Sequence, residues 1–247
     1  LLKIKFKIAY DGTHYFGWQR QLKNPSIQGV IEKTFFQILQ KQTNIIGAGR
    51  TDRGVHARGQ IGCCFVPDQT NLSSLKKSLQ SLLPKDISIT NIEATEDDFH
   101  PRYSAKGKIY KYYIFTKEEL DPFKRYTNYH HPYPLDISLM KKAKEAFIGT
   151  KDFSPFANNL GKTEKKPNPI KTIYSIEIEQ IPDGIILSFH GDGFLYKMVR
   201  NITGALIDAG ENKLSFENIE KILSKKIKNQ QFRQAPARGL FLESVVY

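Results

Sequence analysis

The chain has 247 residues, enough to bury a substantial core as one large or two ordinary domains. It carries 37 Lys and Arg against 25 Asp and Glu, a formal charge of +12, an excess that favours an anionic partner such as nucleic acid or a membrane surface. No apolar run approaches the ~18 residues of a spanning helix, and the start Leu1-Leu2-Lys3-Ile4-Lys5 alternates charge instead of forming a secretory leader, so a membrane-anchored or exported class is not expected.

Residues 3–9 alternate lysine with Ile4, Phe6 and Ile8, the period of a strand with one wet face. The loop Tyr10–Gln21 follows, mixing aromatics with glycines and polar groups. Its aromatics read first as packing, with base stacking as the alternative. A helix is predicted from Ser26 as N-cap, with Ile27, Val30, Ile31, Phe35, Ile38 and Leu39 on one stripe.

The stretch Gly47–Gln60 reads GAGRTDRGVHARGQ, and with so few apolar residues it is expected to be loop and not core. Asp52 stands alone among Arg50, Arg53 and Arg58. Guanidinium groups favour the charged carboxylate, which suits a nucleophile or base at neutral pH. A surface ion pair that contributes little explains the same residues equally well. The chain holds neither the full dinucleotide fingerprint nor a phosphate-binding G-x-x-x-x-G-K-[ST] loop.

Ile61–Val66 then reads as a buried strand containing Cys63 and Cys64. Adjacent cysteines are poorly placed to bridge each other, so core thiols in a reducing compartment, the cytoplasm, are expected. The six histidines show no paired spacing on a helix and no cysteine partner, and no metal is predicted. A helix over Leu72–Leu83, stopped by Pro84, and a strand over Ile87–Ile92 complete the first half.

After Phe99–Ala105 the run Lys108–Ile114 is a tyrosine-rich strand in which Tyr110 and Tyr112 share a face. Ile137–Phe147 is predicted helical, and Gly161–Pro169 is a basic, proline-broken loop. Thr172–Gln180 and Gly184–His190 form a hairpin through Pro182-Asp183-Gly184. Phe194–Ala209 has helical spacing, with Arg200 beside the apolar stripe and Gly204 inviting another backbone to approach. A lysine-rich helix around Ser215–Lys228 and a strand over Phe241–Tyr247 end the chain.

The order strand–helix–strands–helix–strand occurs up to about residue 104 and again from about 105, two passes of a split βαβ pattern in an α+β fold. The expected halves are 1–104, which carries Asp52, and 105–247.

Several blocks taken together resemble the tRNA pseudouridine synthase A family. These are Tyr10–Gln21, Gly49-Arg50-Thr51-Asp52-x-Gly54-Val55-His56-Ala57, the strand around Tyr110, Phe194-x-x-x-Met198-Val199-Arg200-Asn201-Ile202-x-Gly204, and Ala235–Leu240. The resemblance implies that Asp52 is catalytic, that Tyr110 stacks on the target base, that Arg200 pairs with Asp52 and that Arg50 holds the RNA. It also implies one mainly antiparallel sheet shared by both halves, helices on one face, a basic cleft, a homodimer, no cofactor, and uridines 38, 39 and 40 of the tRNA anticodon stem-loop as targets. Arg53 departs from the family pattern, in which a small residue usually follows the aspartate. A non-catalytic RNA-binding module is the alternative from the residues alone; it needs aromatics but has no use for the aspartate.

Overall fold

In the computed structural model, residues 1–158, 167–225 and 232–247 are described. The strands are β1 (Leu2–Tyr10), β2 (Ile46–Gly47), β3 (His56–Val66), β4 (Ile87–Ala94), β5 (Gly107–Phe115), β6 (Tyr129–His130), β7 (Gly149–Asp152), β8 (Ile170–Ile181), β9 (Gly184–Gly191) and β10 (Leu240–Val246). The helices are α1 (Ile27–Leu39), α2 (Leu72–Leu82), α3 (Ile137–Lys144), α4 (Met198–Gly210) and α5 (Phe216–Ser224). The fold is α+β with mainly antiparallel strands.

The chain divides into two units, one made of Leu1–Lys106 with Phe241–Tyr247 and the other of Gly107–Leu240. The last strand therefore groups with the first unit and not, as its place in sequence suggests, with the second. The cause is a short parallel ladder to β3, Phe241 opposite His56 and Leu242 opposite Ala57.

In the first unit β1 lies between β3 and β4, antiparallel to both, and β2 adds to the far side of β3. The alternation of β1 works as read: Ile4, Phe6 and Ile8 are buried, while Lys3, Lys5 and Lys7 stay at least partly wet. Ser26 caps α1 by accepting from the Gly29 amide, and Ile27, Ile31 and Phe35 reach the core, where Phe35 meets Phe6 at 5.5 Å. Asn71 caps α2 in the same way, and Leu75 and Leu79 are buried.

The second unit repeats this ladder. β5 pairs antiparallel with β9, β9 with β8, and β8 with β7. Tyr112, Leu187, Phe189, Met140 and Phe147 are all buried.

Two helix boundaries differ from the periodicity. The helix predicted over Ile137–Phe147 ends at Lys144 and tightens into a 3-10 turn over Glu145–Phe147. The helix predicted from Phe194 starts at Met198, because Lys197 takes a left-handed conformation at φ 63° that no α-helix can pass through. Residues 161–166 of the basic loop and 226–228 of the lysine-rich helix lie outside the described residues.

Candidate active site

β2 ends at Gly47 and β3 begins at His56, so the motif spans a loop, residues 48–55, and the first turns of a strand. It is far more deeply set than its composition suggests. Ala48, Thr51, Val55, His56, Ala57 and Gln60 are all buried, which overturns the expectation that this segment lies wholly outside the core. The physical reason is a second loop laid against it, residues 11–25.

Three hydrogen bonds join the motif loop to Tyr10 and to the loop that follows it. The Trp18 amide donates to the Thr51 carbonyl at 3.1 Å, and the Gly54 amide to the Tyr15 carbonyl at 3.4 Å. Tyr10 and Thr51 share a hydroxyl–hydroxyl bond of 2.8 Å, and the Gly12 amide nitrogen packs 3.1 Å from His56 Nδ1. Gly17 is required for this contact. Its φ is +89°, and a Cβ there would sit 2.5 Å from the Thr51 carbonyl oxygen. Burial pushes the Tyr10 phenol well above its usual pKa, so it stays a neutral hydrogen-bonding group. On the far side, the Asp11 amide donates to the Asp86 carbonyl at 2.9 Å and the Tyr15 hydroxyl to the Asp86 carboxylate at 2.7 Å, which ties residues 11–25 to the approach of β4.

Asp52 is half-buried at the crest of the motif loop, and its carbonyl accepts from the Val55 amide at 3.1 Å, closing a turn. Arg50 and Arg53 beside it are exposed. Gln60 reaches back from β3 to donate to the Gly49 carbonyl at 2.8 Å. The carboxylate is thus carried by a loop with little freedom to move, with Arg50 and Arg53 close to it in the chain.

His56 and Asp11 are roles that reading the sequence missed. His56 is buried under the Phe241 ring, stacked at 4.5 Å, and its Nδ1 lies 3.0 Å from an Asp11 carboxylate oxygen. That hydrogen bond, reinforced by the Thr13 amide and hydroxyl, holds the Asp11 carboxyl well below the usual carboxylate range. A signal was present: His56, Arg58 and Gln60 alternate with Ala57, Gly59 and Ile61 at strand period, but the glycines and arginines made the run look like loop.

The other two candidates belong to the second unit. Tyr110 on β5 is buried and meets Phe194 edge-on at 5.3 Å and 85°. Tyr112, on the same face, is buried and donates its hydroxyl to the Pro236 carbonyl at 2.8 Å. Arg200 stands in the first turn of α4, where its Nε donates to the Ala235 carbonyl at 2.8 Å while the Ala235 amide donates to the Arg200 carbonyl at 3.1 Å. The neighbouring Asn201 side chain, buried, joins Asn158 and Gln234 in an amide network. Gly204 admits the backbone approach its place in the helix suggested: a Cβ there would lie 1.7 Å from the Arg233 carbonyl oxygen. Among the described residues no cluster of three or more His, Cys, Asp or Glu is arranged to hold a metal ion, and no helix is long and apolar enough to cross a membrane.

A braced carboxylate-bearing loop among arginines, on an α+β unit of a strongly basic chain, has the makings of an enzyme that acts on a polyanion. Comparison with known proteins supplies the family. A family profile described as tRNA pseudouridine synthase matches residues 7–104 and 143–247. The chain is 43% identical to tRNA pseudouridine synthase A 1 of Protochlamydia amoebophila over 98% of its own length and 95% of the relative's. It is 42% identical to tRNA pseudouridine synthase A of Thermodesulfovibrio yellowstonii over the full length of both. A chain in the crystal structure of a Cbf5–Nop10–Gar1 complex is similar at 14% identity with a TM-score of 0.35, over 96% of this chain and 47% of that one. The chain belongs to the tRNA pseudouridine synthase family, and it is an isomerase that acts on tRNA.

Proposed function

We propose that this chain isomerises uridine to pseudouridine at positions 38, 39 and 40 of the tRNA anticodon stem-loop, with Asp52 as the catalytic carboxylate. The observation that carries this reading is the Asp52 loop itself, held by Tyr10 and residues 11–25 through three hydrogen bonds so that one carboxylate is presented between Arg50 and Arg53 in the chain. A group that must meet a reacting atom gains most from being positioned in advance.

The reaction breaks the N1–C1′ bond of uridine, turns the base and joins C5 to C1′. The C5 proton is lost and a proton is gained at N1, so nothing is added or removed. The target nucleotide has to leave its stack, at a cost of a few kcal/mol, before a side chain can reach it. Asp52 then acts at C1′ or C6 as nucleophile, or as the base that removes the C2′ proton. Arg200 pairs with Asp52 and keeps it ionised, Tyr110 stacks on the turned-out base, and Arg50 holds the RNA.

In this reading the halves 1–104 and 105–247 share one sheet and a basic cleft. The protein works in the cytoplasm as a homodimer whose two copies grip one tRNA, and it uses no cofactor. The family and the curated relatives support the tRNA substrate. The test is incubation with unmodified tRNA transcripts followed by chemical mapping of pseudouridine. Modification confined to 38, 39 and 40, and lost in Asp52→Ala, is the expected result. Modification elsewhere, or full turnover by that variant, overturns the assignment.

A further inference from the structure

We infer that Arg53, carried on the ring of Phe16, forms a binding subsite for one phosphate of the RNA backbone next to the nucleotide that reacts; this rests on the function proposed above. The Arg53 guanidinium carbon lies 4.1 Å from the centre of the Phe16 ring, and Arg53 is exposed. The ring is a fixed platform. The Phe16 amide donates to the Pro25 carbonyl at 2.9 Å, and its carbonyl accepts from the Gln21 side chain at 2.8 Å.

Two other arginines near this loop already have carboxylate partners. Arg58 pairs with Glu243 at 3.2 Å and Arg20 with Glu32 at 3.0 Å. Among the described residues Arg53 has no such partner, and its charge is engaged by the ring alone. An aromatic face leaves the N–H donors of a guanidinium available for an anion, and it reduces the freedom lost when one binds. Arg53 follows Asp52 directly, so the anion it meets is bound by the same loop that carries the carboxylate. On an RNA whose target base has been turned out, the nearest anions are the flanking phosphates.

The test is tRNA binding by wild type, Arg53→Ala, Arg53→Lys and Phe16→Leu over a range of salt concentrations, with thermal melting as a control for folding. Arg53→Ala is expected to bind about tenfold more weakly and to lose about one unit from the slope of log affinity against log salt. Arg53→Lys and Phe16→Leu keep the charge, so both should keep the wild-type slope while binding about threefold more weakly. An unchanged slope in Arg53→Ala overturns the subsite, whether or not melting falls, because a loop brace without a phosphate contact alters stability and not counterion release. If the wild type makes no pseudouridine, the proposed function fails while the slopes still report the contact. An active enzyme with an unchanged slope sinks the subsite alone.

Discussion

The two units carry the same ladder and differ in the link that joins its outer strand to its middle one. In the second unit β8 turns into β9 through Pro182 and Asp183, and the two strands pair almost from end to end. In the first unit β2 is a two-residue strand, and residues 48–55 intervene before β3. The short turn yields a regular sheet edge, whereas the long link yields a place for Asp52 and a need to hold it. The holding is done by a neighbouring loop, residues 11–25, because a segment that pairs with no strand must find partners for its backbone groups elsewhere. The candidate carboxylate therefore lies where the repeat departs from itself.

The sharpest way to break this contrast is Asp52→Asn. It should cost at least about a thousandfold in turnover on tRNA while leaving tRNA binding near wild type, because in the proposed function the charge removed acts in the reaction and not in holding the RNA. Single-turnover kinetics beside a binding titration would show it, and equal losses in both would mean the loop is only a binding element.

Next in size are substitutions at two glycines that admit a close approach, one chosen from each unit. Gly17→Ala places a side chain at φ +89° against the Thr51 carbonyl and should destabilise by ~2–3 kcal/mol. Gly204→Ala drives a methyl into the Arg233 carbonyl and should cost ~3 kcal/mol. Urea unfolding measures both. Turnover of the folded protein should fall further for Gly17→Ala, since the contact it breaks is the one that holds the Asp52 loop.

A smaller effect is expected from Tyr112→Phe, which removes the bond to the Pro236 carbonyl at the cost of ~1 kcal/mol and leaves turnover unchanged. A clear loss of activity at unchanged stability would show that this residue does more than pack.

Smaller still is the pH dependence set by Asp11. Its carboxyl is held below its unfolded value by His56 and Thr13, so its contribution is present above the ordinary carboxylate pKa. It is lost as pH falls through the depressed folded value. The melting difference between wild type and Asp11→Asn should accordingly be constant near neutrality and shrink only below about pH 4. A difference that changes between neutral and mildly alkaline pH would contradict the pairing. Nearly half of this side chain is exposed, and solvent screening keeps the effect small.

Much of this molecule was legible in the residues. The alternation of lysine with Ile4, Phe6 and Ile8, the Ser26 cap and the Pro182-Asp183 turn are local patterns, and local sterics and burial decide them. The motif around Asp52 marked the candidate site through its local composition, a lone carboxylate among arginines and glycines, although half of the segment proved to be buried. What reading the residues in order missed is contact between segments distant in the chain. That His56 is buried against Phe241 and that Asp11 bonds to it are of this kind.

The amino-acid sequence by itself determined the elements, the repeated ladder and the family, because each depends on periodicity or on short motifs that act over a few residues. Only the tertiary structure decided that the Asp52 loop is braced and half-buried, and that the last strand returns to the first unit. Those outcomes depend on which distant backbone donors and carbonyls meet, such as Trp18 with Thr51 and Phe241 beside His56, and pairings of that range leave no periodic trace along the chain.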